Sequence, residues 1–208
     1  MRPLNHLLPP PPMTSGMILA LLVGYLLGSI PFGLLLTRFA GKGDIRGIGS
    51  GNIGATNVLR TGSKPLAAAT LILDALKGAV AVMLAQTFWD DGIQFAAAGA
   101  MIGHLYPVWL KFKGGKGVAT LLGIIAPLMP VGAAIYALVW IGLLLTVRIS
   151  SLAGMVAAAS APLSAAILDK DEFFPLMLGF ALLVVWKHRP NIQRLLQGTE
   201  PKIGARTD

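Results

Sequence analysis

Residues 17–36 read MILALLVGYLLGSIPFGLLL, twenty positions without a charged side chain. About 20 apolar residues are enough for a helix to cross the hydrocarbon core of a bilayer. The run is too long for the apolar region of a signal peptide, and no small-residue cleavage site follows it. Further apolar runs lie at 66–87, 94–110, 117–128, 131–148, 151–168 and 173–187, so seven spans are predicted when the first is drawn at 17–38. The fourth ends at Pro127 and Pro130. A single bent helix over 117–148 would leave six.

Composition agrees with lipid as the main solvent. The chain of 208 residues is 55% hydrophobic and 12% charged, where a soluble domain carries about 25% charged residues. There is no cysteine, which excludes disulfides, thiolate nucleophiles and cysteine metal sites. A formal net charge of +8 raises the question of nucleic acid. The positions of the charges point instead to orientation in a membrane, because cytoplasmic loops collect Lys and Arg.

Lys42, Arg46, Arg60 and Lys64 lie in the first long loop, Lys111, Lys113 and Lys116 in another, and Arg148 between two spans. The C-terminal tail adds Lys187, Arg189, Arg194, Lys202 and Arg206. With seven spans all of these fall on one side, opposite Asp90, Asp91 and the segment Asp169-Lys170-Asp171-Glu172. The expected fold is therefore an all-α integral membrane protein with its N-terminus outside and its C-terminus in the cytoplasm. Residues 1–16, with Pro9 to Pro12, form a predicted disordered tail. Residues 17–200 form one membrane domain and 201–208 a short C-terminal tail. Met13 and Met17 are alternative starts. No internal repeat of the kind that marks many transporters is present.

Three basic, polar elements share the predicted cytoplasmic side. The first reads Gly47-Ile48-Gly49-Ser50-Gly51-Asn52-Ile53-Gly54-Ala55-Thr56-Asn57-Val58-Leu59-Arg60. Glycines can turn backbone N–H groups toward an anion, and Ser50, Asn52, Thr56 and Asn57 add neutral hydrogen bonds. Arg60 can fork onto a phosphate or carboxylate. The second is Lys111-Phe112-Lys113-Gly114-Gly115-Lys116-Gly117-Val118-Ala119-Thr120. It departs from the P-loop pattern at Val118 and has no preceding strand, which excludes nucleotide hydrolysis on that motif. A Gly114-Gly115 nest and a helix starting near Lys116 remain as anion-binding features.

The third is the tail, where 191–196 reads as a short amphipathic helix stopped by Gly198. His188 stands before it at a membrane exit, with a near-neutral pKa suited to proton transfer. Glu200 reads as a salt-bridge partner. Within the membrane, Asp74 and Lys77 are three apart on one helical face and are expected to pair with each other or with His104. Gly24, Gly28, Ser29, Gly99 and Gly103 read as close-packing positions. Acids are too few and too scattered for a two-metal site, so neither metal nor other cofactor is expected.

The strings at 49–57, Gly103-His104-Leu105-Tyr106-Pro107-Val108, 113–120 and Asn191-Ile192-Gln193-Arg194-Leu195 resemble the bacterial acyl-phosphate:glycerol-3-phosphate acyltransferase family. The resemblance runs from about Gly16 to Glu200. It implies a seven-helix membrane enzyme that makes lysophosphatidic acid from acyl phosphate and glycerol-3-phosphate, the first step of phospholipid synthesis. Ser50, Arg60, Lys116, His188 and Asn191 then fall on active-site positions. The glycines of 49–54 and 114–117, among them Gly49, Gly51, Gly54, Gly114, Gly115 and Gly117, fall on phosphate-binding loops. The implied location is the bacterial inner membrane, with lipid as the partner and no nucleic acid; a monomer is compatible with it.

Acyl phosphate is already activated, so no covalent intermediate is required. The proton acceptor stays open between His188 and the substrate's own phosphate, with Ser50 as acyl nucleophile a third option. The competing classes are a transporter for phosphate or a phosphorylated metabolite and a membrane scaffold.

Overall fold

A computed structural model describes residues 12–204; the Pro9–Pro12 run, save its last residue, and Arg206 lie outside the described residues. All regular structure among these residues is helical. The chain runs α1 (Ser15–Gly28), α2 (Phe32–Phe39), α3 (Ala55–Leu59), α4 (Lys64–Phe88), α5 (Ile93–Leu105), α6 (Val118–Leu128), α7 (Pro130–Thr146), α8 (Ser150–Ile167), α9 (Phe174–Lys187) and α10 (Arg189–Leu196). Three stretches are long and apolar enough to cross a membrane: 15–39 taken as one, 64–88 and 150–167.

Two expectations are corrected by prolines. The first span is two helices, because Pro31 has no N–H to continue the ladder and disfavours helical backbone at Ile30. The carbonyls freed at the break are taken by distant donors. Trp109 Nε1 donates to Ser29 O at 2.7 Å and Lys77 Nζ to Ile30 O at 2.8 Å. The third span ends at Leu105 rather than 110, stopped by Pro107, and 108–110 is a single tight turn.

Between α6 and α7 the chain reverses at Met129, ahead of Pro130. The Tyr136 hydroxyl donates to Val118 O at 3.0 Å, a contact that a single helix over 117–148 could not make across 18 residues at about 1.5 Å rise per residue. The one-bent-helix alternative is thereby excluded.

Small residues set the packing. A Cβ on Gly24 or Gly28 of α1 would collide with the backbone of Ala96 or Ala100, and one on Gly99 or Gly103 of α5 with Leu21, Tyr25 or Ser29 backbone. In the same way Gly78 of α4 abuts Thr120 O and Gly123 of α6 abuts Ala75 O. Without a hydrophobic driving force between helices in lipid, such close backbone approach supplies the van der Waals contact. A buried core of Met101, Leu105, Leu121, Ile124, Ile125 and Tyr136 fills the interior. Leu22, Leu26, Ile72, Leu138, Leu145 and Leu182 stay exposed on the outer faces, where acyl chains would cover them.

The prediction that follows compares two membrane glycines. Gly28→Ala should destabilise the protein by about 1–3 kcal/mol, the usual cost of overpacking. Gly142→Ala, whose added methyl meets nothing within 4 Å, should stay within about 0.5 kcal/mol. Equilibrium unfolding in mixed micelles reads both.

Candidate active site

The three polar elements meet at one end of the bundle. In the first loop Gly49 and Gly51 have φ of 55° and 67°, the left-handed region that glycine tolerates without a Cβ clash. A side chain at Gly49 would also strike Arg60 and Asn57. Asn57, 2% exposed, is the loop's internal frame. Its Nδ2 donates to Ile45 O at 2.8 Å, and its Oδ1 accepts from Ser50 N at 3.2 Å, Ser50 Oγ at 3.4 Å and Arg60 Nη1 at 3.5 Å. Asn52 caps its own turn through Gly54 N at 2.9 Å, an Asx turn. Thr56 is exposed beside them. Two asparagines expected to serve a ligand thus spend carbonyl oxygens on shaping the loop that presents Ser50 and Arg60.

The second loop is corrected in the same sense. Gly114 N donates to Leu105 O at 3.2 Å and Gly115 N to His104 O at 3.0 Å. These amides satisfy the last carbonyls of α5 and form no nest. The glycines are needed for proximity: a Cβ on Gly114 would strike His104 O, and one on Gly115 the His104 ring. Gly117, φ 89°, caps α6 and packs on Met101. In the first loop Ser50, Gly51 and Gly54 amides are likewise engaged internally. Anion binding therefore falls mainly to side chains, helped by the first turn of α6, whose N–H groups have no earlier helical carbonyl.

Those side chains are joined by a chain of short hydrogen bonds. Lys116 Nζ donates to Asn191 Oδ1 at 2.5 Å, and Asn191 Nδ2 to Glu200 Oε1 at 2.6 Å. Ser151 Oγ also donates to Glu200 Oε1 at 2.6 Å, and Arg194 Nε to Glu200 Oε2 at 2.7 Å. Glu200 is thus the hub of the tail and more than the partner of one salt bridge. Burial works against its charge, yet the bonds from Ser151, Asn191 and Arg194 hold its carboxyl below the usual range. A cavity of about 470 Å³ is lined by Gly49, Ser50, Arg60, Arg194, Thr199 and Pro201, with Ile48 beneath. First loop and C-terminal tail are therefore opposite walls of one cleft, and Lys116 stands behind Arg194 through Asn191 and Glu200.

The electrostatics favour anions. Burial lowers the Lys116 ammonium to about 8; Glu200 opposes that shift, while Arg194, Arg60 and Lys187 add to it. His188 is 3% exposed. Burial, then Lys116, lowers its imidazole to about 4, against the pull of Val184 O and Glu200. Its Nδ1 lies 2.7 Å from Val184 O, which assigns the proton to Nδ1 and leaves Nε2 with a lone pair. Nε2 is turned toward Gly154 of α8. Asp44 is held well below the usual carboxylate range, chiefly by its hydrogen bonds with Arg46; it lines a second opening with Arg46 and Lys113. No three His, Asp or Glu side chains converge among the described residues as a metal ion would require.

Arg194, on the cleft wall, and Glu200, behind it, are members of this network that the sequence pattern does not single out. The available signal was spacing: Arg194 follows Asn191 by three and so shares its helix face.

Fold and cleft together define an integral membrane protein with cationic side chains gathered at one end of its helices. The family model described as glycerol-3-phosphate acyltransferase matches residues 18–198. A glycerol-3-phosphate acyltransferase of Mesorhizobium japonicum is 57% identical over 194 residues, 93% of this chain and 100% of that protein. One from Methylorubrum extorquens is 56% identical over 90% of this chain and 93% of its own length. The crystal structure of PlsY (YgiH), an integral membrane glycerol 3-phosphate acyltransferase, in its glycerol 3-phosphate form superposes with a TM-score of 0.86 at 38% identity. It covers 91% of this chain and 96% of that one. Its lysophosphatidic acid form gives 0.84 at 37%, over 92% and 96%. The chain belongs to the glycerol-3-phosphate acyltransferase family.

Glu200→Ala removes the acceptor shared by Asn191, Ser151 and Arg194. It should cost about 1–3 kcal/mol of stability, the range for leaving hydrogen-bonding partners of a charged group unsatisfied, and lower the melting temperature in detergent. Glu200→Gln keeps an oxygen acceptor and should lie between that variant and the native chain.

Proposed function

We propose that the cleft between the first loop and the tail binds glycerol-3-phosphate and a fatty acyl phosphate and joins them into lysophosphatidic acid and inorganic phosphate. The observation that carries this reading is the gathering of cations at one cleft: Arg60 and Arg194 line it, and Lys116 stands behind it within their field, linked through Asn191 to a Glu200 already engaged by Ser151 and Arg194. Two phosphorylated reactants repel each other. At about 4 Å and an effective dielectric near 20, two unit charges cost roughly 4 kcal/mol. Cations fixed before the ligand arrives offset that cost and stabilise charge developing on the carbonyl oxygen and the departing phosphate.

In the reaction, an acceptor hydroxyl oxygen attacks the acyl carbon. The bond between that carbon and the phosphate oxygen breaks, and phosphate leaves with the electron pair. The hydroxyl proton needs an acceptor. With a pKa of about 4, neutral His188 is a weaker base than a phosphate monoester, whose second pKa is about 6. Its Nε2 faces α8. The substrate's phosphate is thus the better acceptor, with His188 and Asn191 in positioning roles and Ser50 as a hydrogen-bond donor. Ser50 Oγ reaches toward Asn57 Oδ1, and no His, Asp or Glu among the described residues hydrogen-bonds to it to activate a nucleophile.

The enzyme reads as a seven-span protein of the bacterial inner membrane: the broken first span, α4, α5, α6, α7, α8 and α9. The basic cleft then faces the cytoplasm and Asp90, Asp91 and Glu172 face outward. The polar end opens beside the membrane surface, so the acyl chain can stay in lipid. No observation favours a carrier.

Two outcomes test this. In a pH profile of kcat/KM, activity should rise with pH through about 6, as the acceptor phosphate loses its proton, and fall through about 8, as Lys116 loses its own. The lower inflection should survive His188→Gln. Its disappearance would restore His188 as the base. Lys116→Ala should lower kcat by about 10²–10³-fold.

The chain lacks cysteine, so single cysteines report sidedness cleanly. Lys113→Cys and Gln197→Cys should react with an impermeant maleimide only from the cytoplasmic face, and Asp91→Cys only from the other. Labelling of Lys113 and Gln197 variants from opposite faces would end the shared-cleft reading.

A further inference from the structure

Asp74, Lys77 and His104 lie outside the cleft and take no part in the chemistry above, yet all three are buried, at 3%, 4% and 4% exposure. Ionisable groups at such depth are costly and persist where something is gained from them. Lys77 Nζ lies 2.7 Å from Asp74 Oδ1 and donates to Ile30 O at 2.8 Å. His104 Nδ1 is 3.8 Å from the same Asp74 oxygen and has no hydrogen-bond partner among the described residues.

Each arm of this cluster ends on one of the two glycine loops. On one side, Ile30 is the residue at the break in the first span. Immediately after it, Gly33 of α2 packs so closely on Ile53 O of the first loop that a Cβ there would overlap it. On the other side, the His104 ring is the surface on which Gly115 rests, and His104 O accepts the Gly115 amide. Both amino acids of the ion pair sit on α4, at the level where α4 and α6 touch through Gly78 and Gly123.

We propose that Asp74, Lys77 and His104 form a positioning node that sets the first loop and the Lys113–Gly117 loop in register with each other. The node acts through Ile30 and α2 on Ser50 and Arg60, and through Gly115 on Lys116. None of the three touches substrate. The kinetic consequence rests on the acyltransferase reading, whereas the structural consequence does not, and the two are measured separately.

Spin labels on Gly47→Cys and Lys113→Cys report the distance between the loops. Gly47 has φ outside the left-handed region and open space around an added Cβ. In the otherwise native chain the distance distribution should be narrow. In His104→Ala it should broaden or shift. With unlabelled protein, kcat/KM should fall on the order of 10²-fold, the scale of an ångström-level misplacement, with KM for glycerol-3-phosphate or acyl phosphate raised severalfold. A mere loss of folded protein lowers kcat and leaves KM unchanged.

Lys77→Met alone strands a buried carboxylate and can prevent folding. The double substitution Asp74→Asn/Lys77→Met is neutral and keeps volume, so it should fold while still losing the tether to Ile30 O. Combined with His104→Ala it should cost less than the sum of the two, as expected for groups acting as one unit. Folded variants with the native distance distribution and native KM would overturn the proposal, and so would strictly additive losses. A changed distance with no acyltransferase activity in the native chain would keep the node and sink the assigned chemistry.

Discussion

Cations that repel one another must be kept together before any anion arrives. Arg194, Arg60 and Lys187 stand close enough to Lys116 to make its ammonium harder to keep charged, and Glu200 is the carboxylate bound to Arg194 and, through Asn191, to Lys116. One negative charge cannot neutralise that group. It can fix where Arg194 stands and, through Asn191, where Lys116 stands, because its contacts are short, directional, charge-assisted bonds. In the proposed reaction the remaining positive charge is left for the anionic ligand, whose arrival would relieve repulsion built into the folded state. Binding and electrostatic strain are in this way two descriptions of the same arrangement.

Holding such a group requires rigid supports, and the helical bundle provides them through contacts that have little to do with charge. Gly24 and Gly28 against Ala96 and Ala100, and Gly78 and Gly123 across α4 and α6, bring backbones together where side chains would keep them apart. α5 is thereby fixed against α1, and α6 against α4. The loop between α5 and α6 folds back to hydrogen-bond the last carbonyls of α5, so that Lys116 is carried on backbone rather than on a free loop. The break at Pro31 serves the same end. It turns α2 against Ile53 and leaves carbonyls that Lys77 and Trp109 occupy.

The membrane class and the meeting of the three basic elements were legible in the amino-acid pattern, since lipid selects long apolar runs and the basic residues cluster by loop. Asp74 with Lys77 was legible too, because three-residue spacing puts them on one face. Less legible was how backbone amides are used. A glycine pair reads equally as an anion nest or as a place of close approach, and the choice for Gly114 and Gly115 depends on the carbonyls of Leu105 and His104 at the end of α5. The roles of Asn57 and Glu200 were hidden for a related reason. Asn57 acts through Ile45 and Glu200 through Ser151 and, by way of Asn191, Lys116, partners distant in sequence that no local spacing announces. Helix ends moved where a proline overruled hydropathy, at Pro31 and Pro107.

This division between carbonyl-bound amides and free cationic side chains bears on how the chemistry is catalysed. Were the loops nests of upturned amides, binding would rest on fixed dipoles insensitive to pH. Because the Gly114, Gly115, Ser50 and Gly51 amides are spent on structure, the task passes to Lys116, whose burial places its titration within reach of ordinary pH. A half-desolvated lysine gives a stronger field at the reacting carbonyl than one in water, but it holds its proton less firmly. The bound phosphate dianion answers that weakness, since a second negative charge beside the ammonium favours its protonated form. Substrate therefore completes the electrostatics of a site that is imperfect without it, and the cations are strongest when both reactants are present.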